Sequence, residues 1–398
     1  MRRPIILTFV GCYLPGYKAG GPVRSIANMV ERLGDDLDFR IVTADRDLSD
    51  TEPYPNISVD TWSEVGKAKV FYATPRRRSL LSLARLMRKT PFDAVYANSF
   101  FDPVFTLRPL LARFLRLAPN KPMILAPRGE FSEGAVALKA WKKGPYIALS
   151  RVLGLYDGLT WQASSDFEAD DIKREMGSMD RRVSVAGPIV VAPDLASPVE
   201  SKRLSMRAQT AGRSLRIVFL SRIARKKNLD FAIRSLSSVT APVELSVYGV
   251  IEDQAYWQQC QDLVKSLGSN IVVRYGGEVP HDLVGETLAA HDLFLFPTRG
   301  ENYGHVIHEA LAAGLPVLLS DQTPWRNLAE AGVGWDLPLG DPLAFATVIE
   351  EYAGLGAGDR EAFRSRATAY AANASADEDA IARNLSLFRE ACKGVRVV

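Results

Sequence analysis

The sequence predicts an α/β fold with two Rossmann-like, doubly wound domains that face each other across a cleft. Its 398 residues exceed what one hydrophobic core ordinarily holds. Short apolar runs alternate with longer segments whose apolar residues recur at helical spacing, a pattern typical of parallel strands joined by helices. The alternation breaks off near the middle of the chain and then starts again, which indicates two such domains in series.

The first domain is expected over residues 1–190. Apolar runs predict four strands in it: Ile5–Val10, Arg40–Thr43, Ala94–Ala97 and Met123–Ala126. Apolar residues at intervals of three and four predict helices at Val23–Leu33, Val104–Leu117 and Ala135–Leu153. Because strands alternate with helices, we expect the strands to pair in parallel.

The second domain is expected over residues 205–375. Its predicted strands are Leu215–Leu220, Val243–Tyr248, Ile271–Tyr275, Leu293–Phe296 and Pro316–Leu319. Its predicted helices are Leu229–Leu236, Asp253–Leu267, His281–Ala290 and Tyr303–Ala313. The stretch Val191–Thr210 is rich in proline, serine and charge and predicts a linker. We expect residues 376–398 to form a helix that packs back toward the N-terminal domain.

The composition excludes several classes of protein. The formal net charge is only +3, so we expect no nucleic-acid partner. The three cysteines, Cys12, Cys260 and Cys392, are far apart and lack metal-ligand or redox spacing. No apolar run approaches the roughly 18 residues that a membrane span needs, so we expect a cytoplasmic protein.

The strongest functional signal is the segment Arg299–Pro316, which lies between two predicted strands. Glu301 falls in the loop after a strand and Glu309 on the first turns of the following helix, where open α/β sheets bind ligands. Gly304 lets backbone N–H groups approach an anion at the helix N-terminus. The alternative is that both glutamates are simply solvated. We assign donor binding to Glu301, Asn302, Tyr303, Gly304, His305 and Glu309.

A second anion-binding element follows the strand Leu215–Leu220. Arg222, Arg225, Lys226 and Lys227 lie between this strand and a predicted helix. They face the same crevice as Glu301 if the two strands are near neighbours. Positive charge there would stabilise a departing diphosphate. We assign this role to Arg222 and Lys227 and interpret the other two cations as solvated.

Together these elements resemble the retaining glycosyltransferases of family 4, which have the two-domain GT-B fold. The pair of glutamates with seven residues between them, followed by Ala312–Pro316, is similar to the most characteristic segment of that family. Ser221-Arg222 and Lys227-Asn228 resemble its phosphate-binding element. The resemblance covers nearly the whole chain, and it implies a UDP- or GDP-linked sugar as donor.

The resemblance also implies roles for individual residues. Arg222 and Lys227 would hold the donor diphosphate, Glu309 the ribose and Glu301 the transferred sugar. We therefore expect Arg222, Lys227 and Glu301 to be the catalytic residues. Donor binding would lie in the C-terminal domain and acceptor binding mainly in the N-terminal domain, with retention of the anomeric configuration.

Weaker similarities lie in the N-terminal domain. Gly20 and Gly21 resemble a glycine-rich loop that approaches the donor, although two glycines also suit a tight turn. Arg128 follows a strand and resembles an element near the acceptor; the alternative is a structural ion pair. Where many family members place a histidine, this chain offers Asn98 and Ser99, so a histidine-based role is not expected. We assign Arg128, Asn98 and Ser99 to the acceptor side.

We expect no cofactor and no metal. No Asp-x-Asp element follows a predicted strand, and the two cations Arg222 and Lys227 can supply the positive charge that a metal otherwise provides.

Between residues 76 and 143, basic residues far outnumber acidic ones. The basic residues are Arg76, Arg77, Arg78, Arg85, Arg88, Lys89, Arg108, Arg113, Arg116, Lys121, Arg128, Lys139, Lys142 and Lys143; the acidic ones are Asp93, Asp102, Glu130 and Glu133. One hypothesis is a face that docks on anionic lipid and presents a lipid-linked saccharide. The alternative is an ordinary solvated face above a core helix.

The sequence thus predicts transfer of a sugar from a nucleotide-diphosphate donor to a hydroxyl of a glycan or lipid-linked saccharide, in cell-surface polysaccharide biosynthesis. Two alternatives stay open: a sugar-nucleotide epimerase of the same fold, and an inactive sugar-nucleotide-binding subunit.

Overall fold

The computed structural model describes residues 2–132, 135–136, 140–177, 187–197 and 214–393. Packing divides the chain into two units. The N-terminal unit comprises Met1–Leu195 and Asp377–Val398, and the C-terminal unit comprises Ala196–Ala376. Each unit is an α/β domain with a mainly parallel sheet, which confirms the predicted fold class. Most of the predicted linker lies outside the described residues.

The N-terminal unit contains an eight-stranded sheet. Its strands in chain order are β1 Ile5–Phe9, β2 Asp38–Ala44, β3 Trp62–Val65, β4 Ala68–Ala73, β5 Ala94–Asn98, β6 Met123–Ala126, β7 Thr160–Ala163 and β8 Ile189–Val191. Their order across the sheet is β3-β4-β2-β1-β5-β6-β7-β8. All neighbours pair in parallel except β3 and β4, which form an antiparallel edge.

Five described helices connect these strands: α1 Gly21–Leu33, α2 Leu80–Lys89, α3 Leu107–Phe114, α4 Ala140–Val152 and α5 Asp166–Met176. Part of the predicted helix Ala135–Leu153 lies outside the described residues, at 137–139. Among the described helices of the chain, none has the length and apolar character needed to cross a bilayer.

The C-terminal unit contains a six-stranded sheet. Its strands are β9 Leu215–Leu220, β10 Val243–Tyr248, β11 Ile271–Tyr275, β12 Leu293–Phe296, β13 Val317–Ser320 and β14 Gly334–Leu337. They lie in the order β11-β10-β9-β12-β13-β14, and all of these pairs are parallel. Its described helices are α6 Leu229–Ser235, α7 Gln254–Val264, α8 His281–Ala289, α9 His305–Ala312, α10 Pro342–Gly354 and α11 Ala357–Ser375.

The central strands are buried on both faces because helices cover both sides of each sheet. All four residues of β12 are fully buried, as are the side chains of Ile217, Val218 and Phe219 in β9. Strands in this position are near-continuous apolar runs rather than alternating ones. The sequence shows this pattern, and it is why these strands were predictable.

The last helix, α12 Glu378–Lys393, packs on the N-terminal unit. Phe388 is fully buried, with its ring centroid 5.9 Å from that of Phe39 and 5.3 Å from that of Tyr96. Gln162 Nε2 donates a hydrogen bond of 3.1 Å to Asn384 Oδ1. The helix therefore completes the core of a unit whose other residues lie far earlier in the chain.

Both sheets contain a topological switch point. In the first sheet β1 lies between β2 and β5, and in the second β9 lies between β10 and β12. The connections after β1 and β5 lead toward opposite edges of the first sheet, and those after β9 and β12 do the same in the second, so a crevice is expected beyond the carboxyl ends of these strands. Ligands of open α/β sheets bind in such crevices.

Candidate functional site

The two predicted donor-binding elements lie side by side at the switch point of the C-terminal unit. β9 and β12 are adjacent and parallel, with Leu293 opposite Ile217. The loops that follow the two strands therefore emerge at the same edge of the sheet. One loop carries Arg222 and Lys227, and the other carries Glu301.

Hydrogen bonds join these two loops. Arg299 N donates to Lys226 O at 2.8 Å, and Asn228 Nδ2 donates to Pro297 O at 2.9 Å. Asn228 Oδ1 in turn accepts from Arg299 Nε at 3.0 Å. Asn228 has a φ of 63°, in the left-handed region that asparagine tolerates better than most residues. The bonds fix the position of Lys227, which precedes Asn228, relative to the second loop.

Lys227 and Glu301 form an ion pair between the two loops. Thr298 Oγ1 donates a further hydrogen bond to Glu301 Oε1 at 3.1 Å. Each of the two charged side chains is only 13% exposed. These two residues were predicted to lie in the same crevice, and they are in direct contact. Their roles toward a donor remain predictions.

The charges in the crevice affect the protonation of both partners. Burial opposes ionisation of Glu301, but the positive charges of Lys227 and Lys226 outweigh it and hold the pKa of Glu301 below its ordinary value. Burial lowers the pKa of Lys227; Glu301 opposes that shift, while the charge of Arg222 adds to it. Arg222 therefore lies within electrostatic reach of Lys227.

Arg222 is held by a carboxylate that the sequence analysis did not single out. Its Nη1 donates to Glu252 Oε2 at 2.6 Å. Glu252 follows β10, the strand beside β9. Arg225, interpreted from the sequence as solvated, is exposed, but it pairs with Asp253 at 3.3 Å and lies over the ring of Tyr256.

Gly304 shapes the start of α9. Its φ is 79°, and a Cβ placed there would lie 2.7 Å from Ile307 Cδ1. Only glycine fits this position without strain. The helix N-terminus that follows has backbone N–H groups not used by the helix itself, together with a partial positive charge.

The remaining predicted donor residues surround this helix start. Glu309 Oε1 lies 3.9 Å from His281 Nδ1 of α8, and the Glu309 side chain is 20% exposed. His305 is buried, with its ring 4.8 Å from that of Tyr303. Trp325 Nε1 donates to Tyr303 O at 2.6 Å, which anchors the loop that also contains Asn302.

In the N-terminal unit, a buried aspartate binds the backbone of the loop that leads to Gly20 and Gly21. Asp47 Oδ2 accepts hydrogen bonds from Tyr17 N at 2.7 Å and Lys18 N at 3.1 Å. Gly20 has a φ of 65° and immediately precedes α1. Apart from their chain neighbours and the backbone of α1, no atom of the described residues lies within 4 Å of a Cβ built on Gly20 or Gly21. Their backbone is therefore open to approach.

Arg128 is engaged within its own unit. Its guanidinium forms a buried ion pair with Asp194, and its Nε donates to Asn98 Oδ1 at 2.6 Å. A further hydrogen bond of 2.6 Å joins Nη2 to the hydroxyl oxygen of Tyr96. The structure thus contains the ion pair that the sequence analysis gave as the alternative for Arg128. An acceptor contact by Arg128 or Asn98 stays a prediction.

The hydroxyl of Ser99, in the loop after β5, binds the carboxylate of Glu130, in the loop after β6. Its Oγ donates to Glu130 Oε1 at 2.7 Å, and Glu130 Oε2 accepts from Phe100 N at 2.6 Å and Phe101 N at 3.0 Å. Burial raises the pKa of Glu130 despite these bonds. Glu130 stands two residues after Arg128, and the sequence gave no sign that it would bond to the loop after β5.

Among the described residues, no three histidine, cysteine, aspartate or glutamate side chains are grouped as a metal ion would require. Metal independence stays a prediction.

Each of the two units is an α/β domain with a mainly parallel sheet and a switch point. Two such domains in one chain define a fold of the GT-B type. Residues 202–370 match the protein family described as Glycosyl transferases group 1. The matched region makes up most of the C-terminal unit, which is therefore similar to group 1 glycosyl transferases.

Relatives and solved structures agree with this fold. D-inositol 3-phosphate glycosyltransferase 1 of Catenulispora acidiphila is 28% identical over 261 residues, which cover 62% of this chain and 60% of that protein. Sucrose-phosphate synthase from Thermosynechococcus elongatus has a TM-score of 0.72 at 16% identity, and the matched regions cover 99% of this chain and 100% of that chain. Anabaena HepE, solved in complex with UDP-glucose, has a TM-score of 0.67 at 15% identity, covering 98% and 100%.

Proposed function

We propose that the protein transfers a sugar from a nucleotide-diphosphate donor to a hydroxyl of a glycan or lipid-linked saccharide, with retention of configuration. The observation that carries this proposal is the Lys227–Glu301 ion pair, with Arg222 in electrostatic reach, at the switch point of a unit similar to group 1 glycosyl transferases.

The crevice has the chemistry that a sugar diphosphate requires. Arg222 and Lys227 bring two positive charges to one edge of the sheet, and the α9 N-terminus adds a partial charge of the same sign. When the diphosphate binds, it replaces Glu252 and Glu301 as the partner of these cations. Glu301 is then free to accept hydrogen bonds from sugar hydroxyls, and Glu309 from the ribose.

Catalysis in this scheme is electrostatic. As the bond to the sugar breaks, negative charge grows on the leaving phosphate, and Lys227 and Arg222 stabilise it. A phosphate oxygen accepts the proton of the incoming hydroxyl on the same face of an oxocarbenium-like transition state. The protein needs no metal for this step, so we expect turnover to survive EDTA.

The nucleotide base is the first unknown to resolve. We propose a UDP- or GDP-linked donor; the complex of Anabaena HepE with UDP-glucose supports the UDP choice. A thermal-shift panel with UDP, GDP, ADP and their sugar conjugates tests it. A ligand at about 100 times its Kd stabilises the native state by about 2.7 kcal/mol, which is readily measured.

A shift with one base and its sugar conjugate identifies the donor class. Analysis of the sugar after incubation without acceptor then separates a transferase from an epimerase, which would interconvert donor sugars. Folded protein that responds to none of these ligands would contradict the proposal.

A further inference from the structure

Helix α4 presents an apolar stripe to solvent. Trp141 is 74% exposed, Leu149 59% and Val152 84%. Pro145 and Ala148 are exposed between them. With one turn every 3.6 residues, positions 141, 145, 148, 149 and 152 lie on one side of the helix along its whole length of about 20 Å.

The opposite side of α4 is the one that packs on its own unit. Ile147 and Ser150 are buried. The hydroxyl oxygens of Tyr146 and Tyr156 are 2.5 Å apart, and Lys143 Nζ donates to Ala135 O at 2.7 Å. The helix is thus already anchored, and the stripe is not needed for its attachment.

Basic residues flank the stripe. The charged residues between 140 and 153 are Lys142, Lys143 and Arg151, and none is acidic. Lys142 is exposed, with its Nζ 4.7 Å from the centroid of the Trp141 ring. Lys139, part of the predicted basic face, lies outside the described residues.

The end of α3 is also apolar and basic. Phe114 and Leu115 are each about half exposed, and Arg116 beside them is exposed. A Cβ built on Gly158, which lies six residues beyond α4, would be 3.9 Å from Arg113 Nη2. The side chain of Arg113, near the end of α3, therefore reaches the segment that follows α4.

We propose that the exposed stripe of α4 docks on an anionic lipid surface. A helix with a tryptophan and aliphatic residues on one side, bordered by lysine and arginine, suits the boundary between headgroups and acyl chains. The absence of carboxylates over 140–153 favours anionic lipid, since the flanking cations gain attraction there. Lysine is depleted from interfaces between proteins, which argues against a protein partner.

Vesicle co-sedimentation tests this proposal on the full chain. We expect binding to vesicles of phosphatidylcholine with phosphatidylglycerol, weaker binding to phosphatidylcholine alone, and a loss of binding as salt rises. Leu149→Ser and Val152→Ser should each weaken binding about tenfold, because each removes an apolar side chain whose burial in the membrane contributes to the binding free energy. Lys142→Glu should weaken binding to the anionic vesicles and leave binding to pure phosphatidylcholine vesicles unchanged.

Leu343→Ser is the matched control, because Leu343 on α10 of the C-terminal unit is also 59% exposed. It should bind vesicles like the unchanged protein, and melting curves check that all variants are folded. Failure of the unchanged protein to bind anionic vesicles at low salt overturns the proposal, as does equal binding of Leu149→Ser. A dimer that Leu149→Ser converts to monomer, without vesicle binding, would instead make the stripe an interface between copies.

Discussion

Lys227 and Glu301 illustrate why a charged pair in a crevice points to function rather than to stability. Removing two charges from water costs free energy that offsets much of their attraction, so a buried ion pair adds little net stability compared with an apolar pair, although removing one partner leaves an unpaired buried charge. Both side chains are mostly buried. Among the described residues, no disulfide and no group of metal ligands explains why the pair lies there. An anionic ligand that takes over Lys227 offers a physical reason for this arrangement.

Lys227→Ala should lower kcat by about 10² to 10³, the usual cost of removing one group that stabilises charge in a transition state. Arg225→Ala is the matched control, since Arg225 lies in the same loop but is exposed and bound to Asp253. Steady-state rates at saturating donor provide the measurement. Equal rates for the two variants would remove Lys227 from the chemistry.

The pH dependence of stability reports on Glu301. Because the pKa of Glu301 is lowered in the folded protein, its stabilising contribution is complete above the unfolded pKa. That contribution is lost as the pH falls through the folded pKa. We expect Glu301→Gln to have a lower Tm than the unchanged protein near neutral pH, and the difference to shrink on acidification. A constant difference across this range would show that the ion pair does not stabilise the fold.

The sequence predicted that the loops carrying Arg222, Lys227 and Glu301 meet at one sheet edge, but it did not predict all of the partners of these residues. Arg222, Lys227 and Glu301 each follow an apolar run, so their location at one sheet edge could be predicted once the strands were recognised. Glu252 follows a strand too, but nothing in its neighbourhood marked it as the partner of Arg222. Partners of this kind depend on side-chain positions in three dimensions.

At the scale of elements, α9 depends on the backbone of Gly304. This left-handed residue immediately precedes the helix and sets the direction in which the chain enters it. Any other side chain here meets both an unfavourable φ and the side chain of Ile307.

Gly304→Ala should destabilise the C-terminal unit by about 1–2 kcal/mol, the usual cost of left-handed backbone for a residue with a Cβ. It should also weaken donor binding, because the helix start moves. Gly358→Ala is the control, since no described atom outside its own helix lies within 4 Å of a Cβ built there. Urea unfolding and donor titration measure the two effects. Donor affinity unchanged in Gly304→Ala would separate the helix start from the binding site.

The predictable strands and the missed ones differ in burial. β9 and β12 are covered on both faces, and their apolar runs are continuous. β3 and β14 lie at sheet edges, and their residues are mostly half-buried. Strands with mixed composition and only four residues give little pattern, so these two were missed. β4, the partner of β3, and the three-residue edge strand β8 were missed as well.

At the scale of the whole molecule, α12 links distant parts of the chain. Phe388→Ala should cost about 3–5 kcal/mol, because a fully buried aromatic side chain leaves a cavity against Phe39 and Tyr96. Hydrogen exchange resolved by segment is the measurement, since a two-unit protein need not unfold in one step.

Exchange should rise in the strands of the N-terminal unit and stay unchanged in the C-terminal unit. Ser386→Ala, at an exposed position of the same helix, should leave both units as they were. A rise confined to the C-terminal unit would contradict the assignment of α12.

The position of α12 also bears on synthesis at the ribosome. Domains usually fold as units, the N-terminal one first, while the chain is still growing. Here the first unit lacks one of its own helices until residues 378–393 have been made, whereas the second unit is complete once Ala376 has emerged. We infer that the order of folding is reversed: the domain translated second can reach its native state first, and the domain translated first must wait for the final helix.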